Sequence, residues 1–119
     1  MSQLGLFDLL HAPPVIRPVD PDGAVVREPD VVLSLPHPRM AWNYADIELH
    51  QHDDGLWMWA TSYCSDGAGG GYRVGAKWGH FAETRDDALY YAIAELKERL
   101  ARRPCADASK ILTWLEGLA

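Results

Sequence analysis

From Asn43 onward the chain alternates in a way that predicts strands. Ile47 and Leu49 fall on one side, and Asp46, Glu48 and His50 on the other, the period-two signature of a half-buried strand. Asp53-Asp54-Gly55 then predicts a hairpin turn. The next run, Leu56 to Cys64, is apolar on both sides: Trp57, Trp59, Thr61 and Tyr63 share one face, while Leu56, Met58, Ala60, Ser62 and Cys64 share the other. A strand without a polar face is either central or has its aromatic face covered, by the preceding chain or by a partner. Ser65 to Gly71, with four glycines, predicts a loop, and Tyr72 to Trp78 a third strand. On that strand Tyr72, Val74, Ala76 and Trp78 face one way, and Arg73, Gly75 and Lys77 the other.

After Phe81 the period changes from two to 3.6. Leu89, Ala92, Ile93, Leu96 and Leu100 form one stripe of a long helix. Thr84 reads as its N-cap, with Asp87 in the capping-box position and Asp86 also favoured at the positive end of the dipole. Glu95–Arg99 and Glu98–Arg102 read as i,i+4 pairs on the exposed side, and Pro104 ends the helix. A short second helix begins at Asp107 or Ala108, with Ile111, Leu112 and Leu115 inward and Trp114 at the margin.

The first 42 residues differ. They hold seven of the eight prolines, which remove backbone donors and break helices, so an extended arm with turns is expected. Asp20-Pro21-Asp22-Gly23 predicts one such turn, and Val31 to Leu35 a short strand or an extended stretch laid on the core. The expected fold class is therefore α+β. A proline-rich arm over 1–42 precedes a β-β-β-α-α globular domain over 43–119, in which a three-stranded antiparallel meander is packed by one long helix and a short C-terminal helix follows.

Composition narrows the partners. Seventeen acidic residues against eleven basic ones give a formal charge of −6, which repels DNA phosphates unless the cations are clustered and suits basic protein surfaces instead. Cys64 and Cys105 form no CxxC pair and read as reduced thiols of a cytoplasmic protein. No apolar run is long enough for a membrane span, and the N-terminus lacks a basic signal region.

Candidate chemistry is thin. His50 and His52 share a strand face near Asp53 and Asp54, with His37 and His80 as remote additions, but no second well-spaced ligand pair accompanies them. Cys64, His80 and Asp66 are a conceivable nucleophile, base and orienter without a surrounding signature. Gly67 to Gly71 lacks the lysine and helix start of a phosphate loop. The expectation is a non-enzymatic protein with no metal and no cofactor. The partner-binding candidates on the sheet are Trp57, Trp59, Tyr63, Arg73 and Lys77.

Three resemblances add direction. Trp57-Met58-Trp59, Trp78-Gly79-His80-Phe81 and Thr84-Arg85-Asp86-Asp87, followed by a helix, resemble the three-stranded-sheet-plus-helix pattern of integrase arm-binding and plant ethylene-response-factor domains. Those families grip DNA with the sheet face opposite the helix, which would put Arg73 and Lys77 on a reading face. The same run resembles small accessory proteins of phages and plasmids, implying a mobile-element protein that occupies a host machine, of the kind that inhibits CRISPR or restriction complexes. Finally, Gln3-Leu4-Gly5-Leu6-Phe7 resembles the peptide by which bacterial proteins dock on the polymerase sliding clamp, with Gln3, Leu4, Leu6 and Phe7 matching and Gly5 departing.

Overall fold

The computed structural model describes residues 11–65 and 68–119. In chain order the elements are β1 (Val15–Ile16), β2 (Val31–Pro36), β3 (Asn43–Gln51), β4 (Trp57–Ser65), β5 (Ala68–Gly71), a turn of 3-10 helix (Ala76–Trp78), β6 (His80–Phe81), α1 (Arg85–Arg102) and α2 (Ala108–Leu118). The fold is α+β. Its main sheet is antiparallel in the order β2-β3-β4-β5, and β1 pairs with β6 in a separate two-stranded ribbon. No described helix is long and apolar enough to cross a membrane.

The hairpin between β3 and β4 forms where Asp53-Asp54-Gly55 predicts it. Gly55 takes φ 91°, a conformation that favours glycine, and His52 N–H donates to the Leu56 carbonyl at 2.7 Å. Thr84 caps α1 as expected, its hydroxyl accepting from Asp87 N–H at 3.1 Å. At α2 the Ser65 hydroxyl donates to Asp107 at 2.5 Å, and Asp107 N–H donates back to Ser65 at 3.2 Å, fixing the helix start to the end of β4.

One sheet face packs on the helices. Ala45, Ile47 and Leu49 of β3 and Trp59 and Tyr63 of β4 meet Ala88, Ala92, Ile93, Leu96 and Leu100 of α1 and Ile111 and Leu115 of α2. The stripe on α1 is the one its spacing predicts, with Leu89 half-buried at its margin. The opposite face carries a smaller core of Met58, Ala60, Val74 and Phe81, joined by Val15, Val26, Leu56 and Tyr72.

The sheet departs from the expected three-stranded meander in two ways. First, it has four strands, because Val31–Pro36, within the proline-rich segment, pairs along β3 from Val31–Leu49 to Pro36–Asn43. The same segment also supplies β1, and its backbone runs alongside residues 74–79: Arg17 N–H donates to Gly79, Asp20 N–H to Lys77 and Val26 N–H to Val74, at 2.7–2.8 Å. The Asp20–Gly23 turn forms, but Gly23 does not take positive φ. It is small because an added Cβ would lie 2.7 Å from that of Lys77.

Second, the partner of β4 is the glycine stretch, not Tyr72–Trp78. A Cβ on Gly71 would lie 2.1 Å from the Ser62 Cβ, so only a glycine backbone approaches β4 this closely. Beyond Tyr72, whose N–H reaches Thr61 at 3.2 Å, the chain leaves the sheet edge, and Val74 N–H donates to the Glu48 carboxylate at 2.9 Å. It returns at Ala82, which bridges Trp57 with reciprocal bonds of 2.8 and 2.7 Å.

Candidate interaction surfaces

The five residues expected to share a partner-binding sheet face are dispersed. Trp59 and Tyr63 are each 6% exposed and lie beneath α1; Trp57 is half-buried on the same side. The aromatic face of β4 is covered by the helix, so it forms no exposed patch. Trp59 is stacked between His80 at 4.2 Å and Tyr91 at 5.4 Å. Arg73 lies on the opposite side, paired to Glu48 at 3.0 Å and donating to the Arg27 carbonyl at 3.2 Å. Lys77 sits over the Trp78 ring at 4.9 Å. Gln3, Leu4, Leu6 and Phe7 lie outside the described residues.

The histidines do not converge either. His37 Nδ1 accepts from Arg39 and Met40 N–H at 3.0 Å each, His50 Nδ1 accepts from Asp30 N–H at 3.1 Å, His52 lies against Phe81, and His80 lies against Trp59. Among the described residues no group of three or more His, Cys, Asp or Glu side chains is arranged to hold a metal ion. Cys64 is half-buried on the Met58 face, and it is five residues, roughly 16 Å along the strand, from the Trp59 carbonyl that His80 Nε2 meets. Asp66 lies outside the described residues.

A polar seam between α1 and the sheet edge is what sequence reasoning missed. Glu95 and Arg99 are not an exposed pair. The Glu95 carboxylate accepts from Tyr72 OH at 2.7 and 2.9 Å and from the Thr61 hydroxyl. Arg99 Nη1 donates to the Thr61 hydroxyl at 3.0 Å and to its carbonyl at 3.2 Å, and the guanidinium lies over Tyr63 at 5.2 Å. Burial first, and the neighbouring Glu95 charge second, push the Tyr72 hydroxyl far above the ordinary tyrosine range, so it stays a donor. The available signal was that Tyr91, Glu95 and Arg99 form one i,i+4 row directly beside the apolar stripe. The seam ties helix to strand through groups that satisfy one another.

The face opposite the helices carries a cleft of about 460 Å³ lined by Asp46, Glu48, Ser62, Gly71, Tyr72 and Arg73. Asp46 accepts from Ser34 at 2.5 Å and Asn43 at 2.8 Å, and Glu48 accepts from Arg73 and Val74. Both carboxylates face the cleft region with a single cation. At the turn below, Asp54 accepts from Leu56 N–H at 3.0 Å and pairs with Arg17 at 2.7 Å; the backbone bond first, then Arg17, lowers its pKa.

The amino-terminal strap is anchored on α1. His11 Nδ1 lies 2.7 Å from Asp87, its ring stacks on Tyr90 at 3.9 Å, and Tyr91 OH donates to the Ala12 carbonyl. No family model, curated protein or solved structure matches the chain.

Proposed function

We propose that this chain works by binding a protein partner, as a non-enzymatic interaction protein of inhibitor or accessory type. The observation that carries the reading is the state of the cations expected on the sheet face. Arg73 is paired to Glu48, Lys77 lies over Trp78, and the cleft that Arg73 helps to line also holds Asp46 and Glu48. A nucleic-acid backbone would meet carboxylates there, whereas a basic protein surface would meet its complement. The formal charge of −6 supports the same preference. The seam of Thr61, Tyr72, Glu95 and Arg99 supports a structural rather than a chemical role for these side chains, because their bonds are made to one another.

The mobile-element setting rests on the resemblance of the Trp-rich hairpin and the Thr84 helix start. The Gln3–Phe7 motif names one candidate partner, the sliding clamp, which a direct titration of the intact chain and of a chain lacking residues 1–8 would test. The general reading is tested by capture from a bacterial lysate on the immobilised full-length chain, with and without nuclease. A protein retained after nuclease treatment, and competed by the free chain, is the expected result. Capture that disappears with nuclease would overturn it.

A further inference from the structure

The sheet has two edges of opposite character. At one, β5 is glycine from Gly69 to Gly71, and Arg99 stands over it, 3.2 Å from where a Gly70 Cβ would be. At the other, β2 reads Val31-Val32-Leu33-Ser34-Leu35-Pro36, with no charge, and among the described residues it pairs only with β3. Val31, Leu33 and Leu35 are half-buried on the helix side, and Val32 is 52% exposed on the other. Natural edge strands are ordinarily blunted by a lysine, an inward charge or a strong bulge. Here only Pro36, where the register shifts, interrupts the edge.

The flanks of β2 are charged in opposite senses. Glu28 and Asp30 precede it, and His37 and Arg39 follow it, with Glu28, Asp30 and Arg39 all exposed. Lys110 of α2 adds a cation at the carboxyl end, in a groove of about 380 Å³ that it lines with Leu35, Tyr44, Ser109 and Thr113. A strand with an acidic entrance and a basic exit is electrostatically complementary to a second copy of itself run antiparallel. A parallel pairing would set like charges together.

We infer that β2 is a self-association edge, on which two copies of this chain join antiparallel about Leu33 into one continuous eight-stranded sheet. This goes beyond the host-partner reading and does not depend on it. Antiparallel pairing about a two-fold axis perpendicular to the sheet requires paired residues to share a face. Leu33 then lies opposite the second copy's Leu33, and Val31 opposite its Leu35. Val32 lies opposite its Ser34. The apolar row on the helix side becomes continuous across the junction, and the groove beside Leu35 receives the second copy's Val31. Glu28 and Asp30 lie against the end that carries the second copy's His37 and Arg39. Arg27, one residue further out, falls level with the second copy's Arg39, so the attraction is carried by Glu28 and Asp30 against Arg39 and Lys110.

Sedimentation equilibrium of the full-length chain across the micromolar range tests this directly. The intact chain should be a reversible dimer. Val32→Lys, an exposed position where lysine blocks edge pairing, should yield a monomer that unfolds cooperatively at the Tm the intact chain shows once diluted to monomer. Glu28→Arg, which sets a second arginine beside Arg27 against the second copy's Arg39, should weaken the dimer by about tenfold, and the double variant Glu28→Arg, Arg39→Glu should regain the loss. A monomeric intact chain overturns the inference. So does a dimer that survives Val32→Lys, which would assign the contact to another surface. If Val32→Lys fails to fold, the charge-swap series decides alone, and failure of the double variant to restore the dimer counts against the inference. None of these results bears on lysate capture, so the two readings fail separately.

Discussion

On one side of the sheet, Ile47, Leu49 and Trp59 meet a helix whose cap, stripe and dipole are all local properties of residues 84–102. On the other, Met58 and Ala60 meet the short β1–β6 ribbon and the chain around it, drawn from two distant segments, residues 15–26 and 72–81. Among the described residues the helix side buries fourteen hydrophobic residues in one cluster, and the other side four, so most of their burial energy lies on the helix side. The acidic cleft, the paired Arg73 and the part of the arm that contains Val15 and Val26 lie on the thinner side. The side with the deep core carries more of the burial, so substitutions on the side with the shallow core are expected to cost less.

Four substitutions break or sharpen that contrast. Leu96→Ala, at a fully buried position under the sheet, should cost about 2–5 kcal/mol in denaturant unfolding, the usual range for such cavities. Tyr72→Phe should cost about 1.5–3 kcal/mol by removing a donor to a carboxylate. It also has a pH signature. The folded Tyr72 pKa is raised above its ordinary 10.0, so the protonated form is kept in the fold and lost on unfolding. This contribution is intact below pH 10.0 and is lost as pH rises through and beyond it, and Tyr72→Phe should flatten that alkaline decline. Val74→Ala, in the smaller core, should cost only about 1–2 kcal/mol, for two methyl groups and a small void. Arg73→Ala should cost less than about 1 kcal/mol, because its guanidinium is more than half exposed. A measured order in which Arg73 or Val74 outweighs Leu96 would erase the distinction between the two sides.

The helix side was the legible one. Thr84 and the 3.6-residue stripe place α1 within a residue, and Asp53-Asp54-Gly55 places the hairpin, because caps and tight turns are decided by neighbours in sequence. β5 was hidden because glycine carries no strand propensity; its pairing depends on a close approach to Ser62 that is visible only once β4 is in place. Val31–Leu35 was readable as a strand, but nothing local says that it joins β3. For the surface, alternation tells which residues of β4 share a face, not which element covers it, so Trp57, Trp59 and Tyr63 went to a partner instead of to α1. The Glu95–Arg99 spacing is equally compatible with solvent and with a seam. Only Thr61 and Tyr72, brought from other parts of the chain, decide between them.

We propose that the side of the sheet opposite the helices binds protein rather than nucleic acid. Titration of the full-length chain with duplex DNA at physiological salt tests it most directly. No saturable binding in the sub-micromolar range, and no difference between the intact chain and the Arg73→Ala, Lys77→Ala double variant, is the predicted result. Tight binding that weakens steeply with salt and is lost in that double variant would contradict it, and would assign the sheet to DNA.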